Sequence, residues 1–136
     1  MAVKNLFVLD TSALLALRDN EPGASRVDRL LRQATRKQYR LLASFMTRME
    51  VLYIIWREEG EQSARDALRL VDSFAMDWVS CDAAILDCAA RVKSAGGLSL
   101  ADSWIAATAI VHEATLVHKD PEFQKVSDLS QEFLRP

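Results

Sequence analysis

Four carboxylates recur in one kind of setting along this chain. Asp10 ends the apolar run in "NLFVLDTSALLAL", residues 5–17. Glu50 stands in "MTRMEVLYIIW", Asp102 in "LSLADSWIAATA" and Asp120 in "LVHKDPEF". Singly, each has an ordinary explanation. Asp10, before Thr11 and Ser12, suits a helix N-cap. Thr47-x-x-Glu50 and Ser99-x-x-Asp102 fit capping boxes, the second with Asp in place of Glu. Asp120 before Pro121 suits a turn. Together they suggest more. Acids gathered in one crevice shielded from water repel, and one or more takes up a proton unless a cation compensates. Mg²⁺ or Mn²⁺ is the usual compensation, held by a few carboxylates, water and a substrate phosphate. Helix N-terminal dipoles favour the same ionised carboxylates, so capping and metal binding are compatible. One or two such ions suit phosphodiester hydrolysis. Ser12 or Thr11 would hydrogen-bond a neighbouring carboxylate or a phosphate. Other acid-based sites fit less well. An aspartyl phosphatase wants Asp-x-Asp, and position 12 is Ser12; a metal-adhesion motif wants Ser where Leu14 stands. No G-x-x-x-x-G-K-[ST] phosphate loop is present.

The elements around these acids alternate. Residues 5–9 read as a buried strand, 12–18 as a short helix and 20–23, "NEPG", as a turn. Val27, Leu30, Leu31 and Ala34 give 24–36 an amphipathic helical period. A second strand is expected at 40–44, then helices at about 48–59 and 61–74, separated by Gly60. "DWVSCD", 77–82, reads as a third strand and 83–95 as a helix stopped by Gly96-Gly97. An Ala-rich helix at 100–113 precedes a fourth strand at 114–118, a turn at "KDPEF" and a short final strand within 126–134. No tight hairpin signal appears. Alternation of this kind predicts an α/β fold, three layers deep (α/β/α), around a central mainly parallel sheet. Ligands of such sheets bind outside the carboxyl ends of the strands. Helices leaving parallel strands begin at that same edge, so all four acids are expected to project towards it.

The totals agree with a single domain spanning 1–136. Half of the residues are hydrophobic and about a quarter are charged, which excludes disorder. Cys81 and Cys88 lack metal-site spacing and lie far from the two histidines, so neither a zinc site nor a disulfide framework is expected. Seven residues apart, they suit one helix face as small core residues. No segment reaches the roughly 20 apolar residues a membrane span needs, and the N-terminus lacks signal-peptide features. The expected setting is the cytoplasm, without a membrane partner.

At this point the chain resembles the PIN-domain family, and within it the VapC-type toxins of toxin–antitoxin pairs. "FVLDTSALLAL" is similar to that family's opening strand with its Asp-Thr/Ser-Ser signature, "TRMEVLYII" to the segment with the second acid, "LSLADSWIAATAI" to the stretch with the third, and "LVHKDPEF" to the closing acid–x–acid–Phe segment. Four segments in order cover nearly the whole chain. Carried over residue by residue, the resemblance implies metal-binding and catalytic roles for Asp10, Glu50, Asp102 and Asp120, and a supporting hydroxyl at Ser12, with Thr11 beside it. Glu122 falls on a secondary acidic position. One residue departs: His118 stands where the family usually has Thr or Ser. The resemblance implies a Mg²⁺- or Mn²⁺-dependent endoribonuclease, a homodimer, and an antitoxin that blocks the site. The alternatives are a PIN-type nuclease of RNA maturation or decay without an antitoxin, and a non-catalytic binding module on the same scaffold.

Several features stay open on the sequence alone. Arg26, Arg29, Arg32 and Arg36, followed by Lys37 and Arg40, form a basic stripe. It is a solvated helix face, an RNA-backbone track or a surface for an acidic partner. Trp56, Trp78 and Trp104 suit core or subunit contacts, with base stacking as the other use. "VLYIIW", 51–56, is apolar on more than one face, which suggests burial against a second subunit as well as the core. His118 is assigned no catalytic role.

Overall fold

A computed structural model of the chain describes residues 5–135. Five short strands form one sheet: β1 (Leu6–Leu9), β2 (Arg40–Ser44), β3 (Asp77–Val79), β4 (Thr115–His118) and β5 (Gln131–Phe133). The spatial order is β3-β2-β1-β4-β5 and every pairing is parallel. The chain builds outward from β1 to β3, then returns to lay β4 against the other side of β1. The β1/β4 junction is therefore the point where strand order reverses, and there a crevice opens at the carboxyl edge.

Helices cover both faces: α1 (Thr11–Arg18), α2 (Ala24–Thr35), α3 (Phe45–Glu59), α4 (Glu61–Asp72), α5 (Ala83–Ala95) and α6 (Leu100–Val111). Side chains alternate across the sheet as a strand dictates. Val8, Leu42 and Leu116 pack with Val92, Ile105, Ala106 and Ala109 of α5 and α6. Leu9, Leu41 and Val117 pack with Leu14, Leu30, Leu31 and Val71 on the other face. Helices α3 and α4 form a hairpin with its own seam of Val51, Ile55, Ala64 and Ala67. The expected three-layer parallel fold is what the chain adopts.

Local chemistry adjusts several boundaries. Helix α3 starts at Phe45 and not near 48, because Ser44 caps it by accepting the Met46 N–H at 3.1 Å. Thr47 is thereby inside the helix and is not the cap that the spacing to Glu50 suggested. The third strand is only Asp77–Val79, and "KDPEF" holds a 3₁₀ turn, Pro121–Lys125, in place of a simple turn. Cys81 lies exposed before α5 while Cys88 is half-buried within it, so they share no core face. Gly23 turns the chain into α2 at φ +100°, where a Cβ would stand 3.1 Å from the Leu134 Cβ. Glycine alone meets both demands.

Candidate active site at the carboxyl edge

Asp10 follows β1, and its own N–H donates to the Val117 carbonyl of β4 at 3.1 Å, extending the ladder to the site. Its carboxylate caps α1, accepting the Ala13 N–H at 2.8 Å. The Ser12 hydroxyl lies 2.7 and 2.8 Å from its two oxygens. The same Ser12 Oγ accepts the Lys119 N–H at 2.9 Å. Ser12 thus ties the end of β1 to the chain leaving β4. Thr11 donates to Glu50 Oε1 at 2.7 Å and stands 3.1 Å from the buried Thr47 hydroxyl. Glu50 lies in the second turn of α3. Asp102 lies in the first turn of α6, its N–H held by the Ser99 cap at 3.1 Å. Asp120 caps the 3₁₀ turn, accepting the Glu122 N–H at 2.9 Å.

Burial first, and then the charge of their acidic neighbours, shift Asp10, Glu50 and Asp102 as one electrostatic unit with Asp120. Burial pushes the Asp10 carboxyl up to about 7, against the help of Ala13 and Ser12, and the charges of Asp102 and Glu50 push the same way. Asp102 rises to about 6, first by burial, then by the charges of Asp120 and Glu50, with Asp120 also within reach of its proton. Glu50 rises by burial, opposed by its bond from Thr11, and is raised further by Asp120. Among the described residues none of the four pairs with a lysine or arginine; Lys119 pairs instead with Glu21 and Lys125 with Glu122. Among the described residues no three His, Cys, Asp or Glu side chains are gathered closely enough, as they stand, to hold a metal ion. The donor set is all oxygen, anionic and without a counter-charge. It fits a hard divalent ion that keeps part of its water shell.

A cleft of about 270 Å³ opens beside Ser12, lined also by Leu15, Ile54, Glu58 and Lys119. A larger one, about 540 Å³, surrounds Lys37, Arg40 and Asp77 at the opposite edge of the sheet. Carboxylate position, not cleft size, locates the site. Glu122 is exposed in its ion pair with Lys125 at 2.7 Å.

The basic stripe is not gathered at the acids. Helix α2 runs from the carboxyl edge to the opposite edge, which carries Arg36, Lys37 and Arg40 away from the crevice. Arg26 is spent on Glu132 at 2.8 Å, Arg32 on Asp28 at 2.8 Å and Arg40 on Asp77 at 3.5 Å. Of "VLYIIW", Val51 and Ile55 are buried, whereas Tyr53 and Trp56 are exposed. Trp56 and Trp78 lie under Arg65 and Arg48, at 5.4 and 4.5 Å from guanidinium to ring centroid. Trp104 buries an indole N–H without a partner. Sequence spacing missed Thr47, whose hydroxyl supports Thr11, and Gln131, which holds His118. The only signal for the latter was the unusual His118 itself.

The PIN domain model matches residues 7–129, so the chain belongs to the PIN domain family. Solved structures share its fold. The VapBC2 structure from Rickettsia felis, bound to a DNA fragment from their promoter, matches with a TM-score of 0.77 at 17% identity, over 96% of this chain and 99% of that one. VapBC-1 from nontypeable Haemophilus influenzae matches at 0.73 and 24%, over 95% and 98%. Mycobacterium tuberculosis VapC20, a sarcin-ricin loop cleaving toxin, matches at 0.64 and 18%, over 89% and 95%. No curated protein sequence matches significantly.

Proposed function

We propose that the chain is a divalent-metal-dependent endoribonuclease, acting as one domain over 1–136 and as the toxin of a toxin–antitoxin pair. The observation that carries the reading is the group of uncompensated carboxylates at the β1/β4 switch point, two of them pushed up to about 7 and 6. Membership of the PIN domain family and the fold shared with VapBC structures support it. So does the RNA-cleaving activity of VapC20, one of the proteins sharing the fold.

In this reading Asp10, Glu50, Asp102 and Asp120 hold one or two Mg²⁺ or Mn²⁺ ions. Bound there, the ion lowers the pKa of water and polarises the scissile phosphate. The chain's own work is to aim its acids and to set their protonation. Ser12 fixes Asp10 while the α1 N-terminus favours its charge. Thr11 orients Glu50. One of the four carboxylates orients or deprotonates the attacking water. Because water and not the 2′-hydroxyl attacks, the products carry 3′-hydroxyl and 5′-phosphate ends. The exposed Arg29 of α2 supplies RNA-backbone contact, Glu122 is a secondary acid, and the exposed Tyr53–Trp56 side of α3 is a surface for a homodimer.

The test is to purify the protein without any antitoxin and incubate it with structured RNAs in Mg²⁺, in Mn²⁺ and with a chelator. Metal-dependent cleavage that Asp10→Asn abolishes is expected. Cleavage that survives both the chelator and Asp10→Asn sinks the reading. Capture of an antitoxin encoded in an adjacent short reading frame, with loss of cleavage on binding, tests the toxin assignment separately.

A further inference from the structure

His118 closes β4 with its ring fully buried, 4.9 Å from the Phe123 ring centroid and 5.5 Å from that of Phe133. Its neighbours settle which nitrogen carries the proton. The main-chain N–H of Asp120 can only donate, so Nδ1, 3.2 Å away, accepts. The ring is then neutral, with its proton on Nε2, which donates to Gln131 Oε1 at 2.9 Å. The Gln131 amide is oriented in the same way. Its Nε2 lies 3.0 Å from the Phe123 carbonyl, which only accepts. Three hydrogen bonds therefore run from residue 120, the cap of the 3₁₀ turn, through β5 and back to residue 123 inside that turn. One residue earlier, Ser12 holds the Lys119 N–H at 2.9 Å. Two consecutive amides are thus fixed immediately before the Asp120 carboxylate.

We propose that His118 is a positioning residue for Asp120. Nδ1 holds the Asp120 amide, and the Gln131 bridge holds the ring, so the carboxylate keeps one direction into the crevice. A Thr or Ser hydroxyl at this position is too short to span both partners; the imidazole spans them. The inference rests on the cation-binding role given to Asp120 above.

Two substitutions separate the halves of the imidazole. His118→Asn keeps an oxygen where Nδ1 stood and loses the bridge to Gln131. His118→Gln keeps an amide where Nε2 stood and leaves the Asp120 N–H without its acceptor. Mn²⁺ binding is followed by the loss of the free-ion electron paramagnetic resonance signal, beside thermal melting and exchange of the Asp120 amide. His118→Gln should weaken Mn²⁺ binding about tenfold and speed Asp120 exchange, while His118→Asn stays within about threefold, as expected for groups that orient ligands without touching the ion. Losses that are equal in both variants and follow the melting temperature would show a packing role alone and overturn the proposal. So would unchanged Mn²⁺ binding in His118→Gln. Where a variant does not fold, the ring ¹⁵N shifts of the wild-type protein decide: the Nε2–H tautomer supports the proposal, and an Nδ1–H tautomer or an imidazolium overturns it. Wild-type protein that binds no Mn²⁺ removes the cation reading and this inference together. Normal wild-type binding with equal binding by His118→Gln removes this inference alone.

Discussion

Asp10 carries the clearest energetic consequence at the scale of a single residue. Its carboxyl ionises at about 7 in the folded chain against an ordinary 3.8. Between those values the folded state holds a proton that the unfolded state has released. The stability from this group is complete below about pH 4 and is lost as pH rises through 7. Asp102, raised to about 6, and Glu50, raised by burial, have the same sign. His118, held below its ordinary value by burial, opposes them but is one group against three. Melting of the metal-free protein should therefore fall between about pH 4.5 and 7.5, and saturating Mn²⁺ should abolish the decline by favouring the ionised acids. A melting temperature that climbs over that range without metal would contradict the electrostatic account. Asp10→Asn keeps the cap, since Asn caps as well as Asp. It should raise stability at pH 8 by about 1 kcal/mol, as relieved functional sites commonly do. Its cleavage rate should drop by more than about a hundredfold, beyond the usual effect of changing an outer hydrogen-bond partner. Calorimetry and single-turnover cleavage measure the two effects.

At the scale of elements, the caps decide where the acids point. Ser44 starts α3 early enough to turn Thr47 and Glu50 onto the side that meets α1. Ser44→Ala should cost about 1 kcal/mol in chemical denaturation. A much smaller loss would mean that packing alone sets the α3 start. Helix α6 is pressed against the sheet by Ala106, Ala107 and Ala109, all fully buried. Ala106→Leu should cost about 1–3 kcal/mol by overpacking and should displace Asp102, so cleavage should fall more than stability does. Helix α2 offers RNA only its unspent charge. Reversing the charge of Arg29 should lower RNA affinity and flatten its salt dependence. An unchanged slope would leave the stripe as a solvated face.

Across the whole molecule, sheet order matters more than any one element. Asp10 and Asp120 are 110 positions apart in sequence, yet β1 and β4 lie side by side. Their pairing puts both acids on one edge, and α3 and α6 begin there. Exposed Tyr53 and Trp56 on α3 leave apolar surface that a second copy would cover. Solution scattering or light scattering should give twice the 15.3 kDa chain mass, and Trp56→Glu should shift it towards one; a monomer in both proteins removes the homodimer from the proposal. No helix among the described residues is long and apolar enough to cross a membrane.

The sequence alone determined the alternation of strands and helices, because apolar periodicity and Gly punctuation are local. It also marked the four acids, Asp10 at the end of an apolar run and Glu50, Asp102 and Asp120 beside apolar segments. Their shared crevice was an inference from parallel topology, and the β1/β4 pairing puts Asp10 and Asp120 on one edge. What only the tertiary structure decided were the contacts between distant segments. Ser12 meeting the Lys119 amide, Thr11 meeting Glu50, and His118 bound through Gln131 to its own turn have no local signature. The capping box at Thr47 misled because Ser44, three residues earlier, takes the cap. A side chain's partner is set by what the fold brings near, and Glu132 reaches Arg26 across 106 positions of sequence.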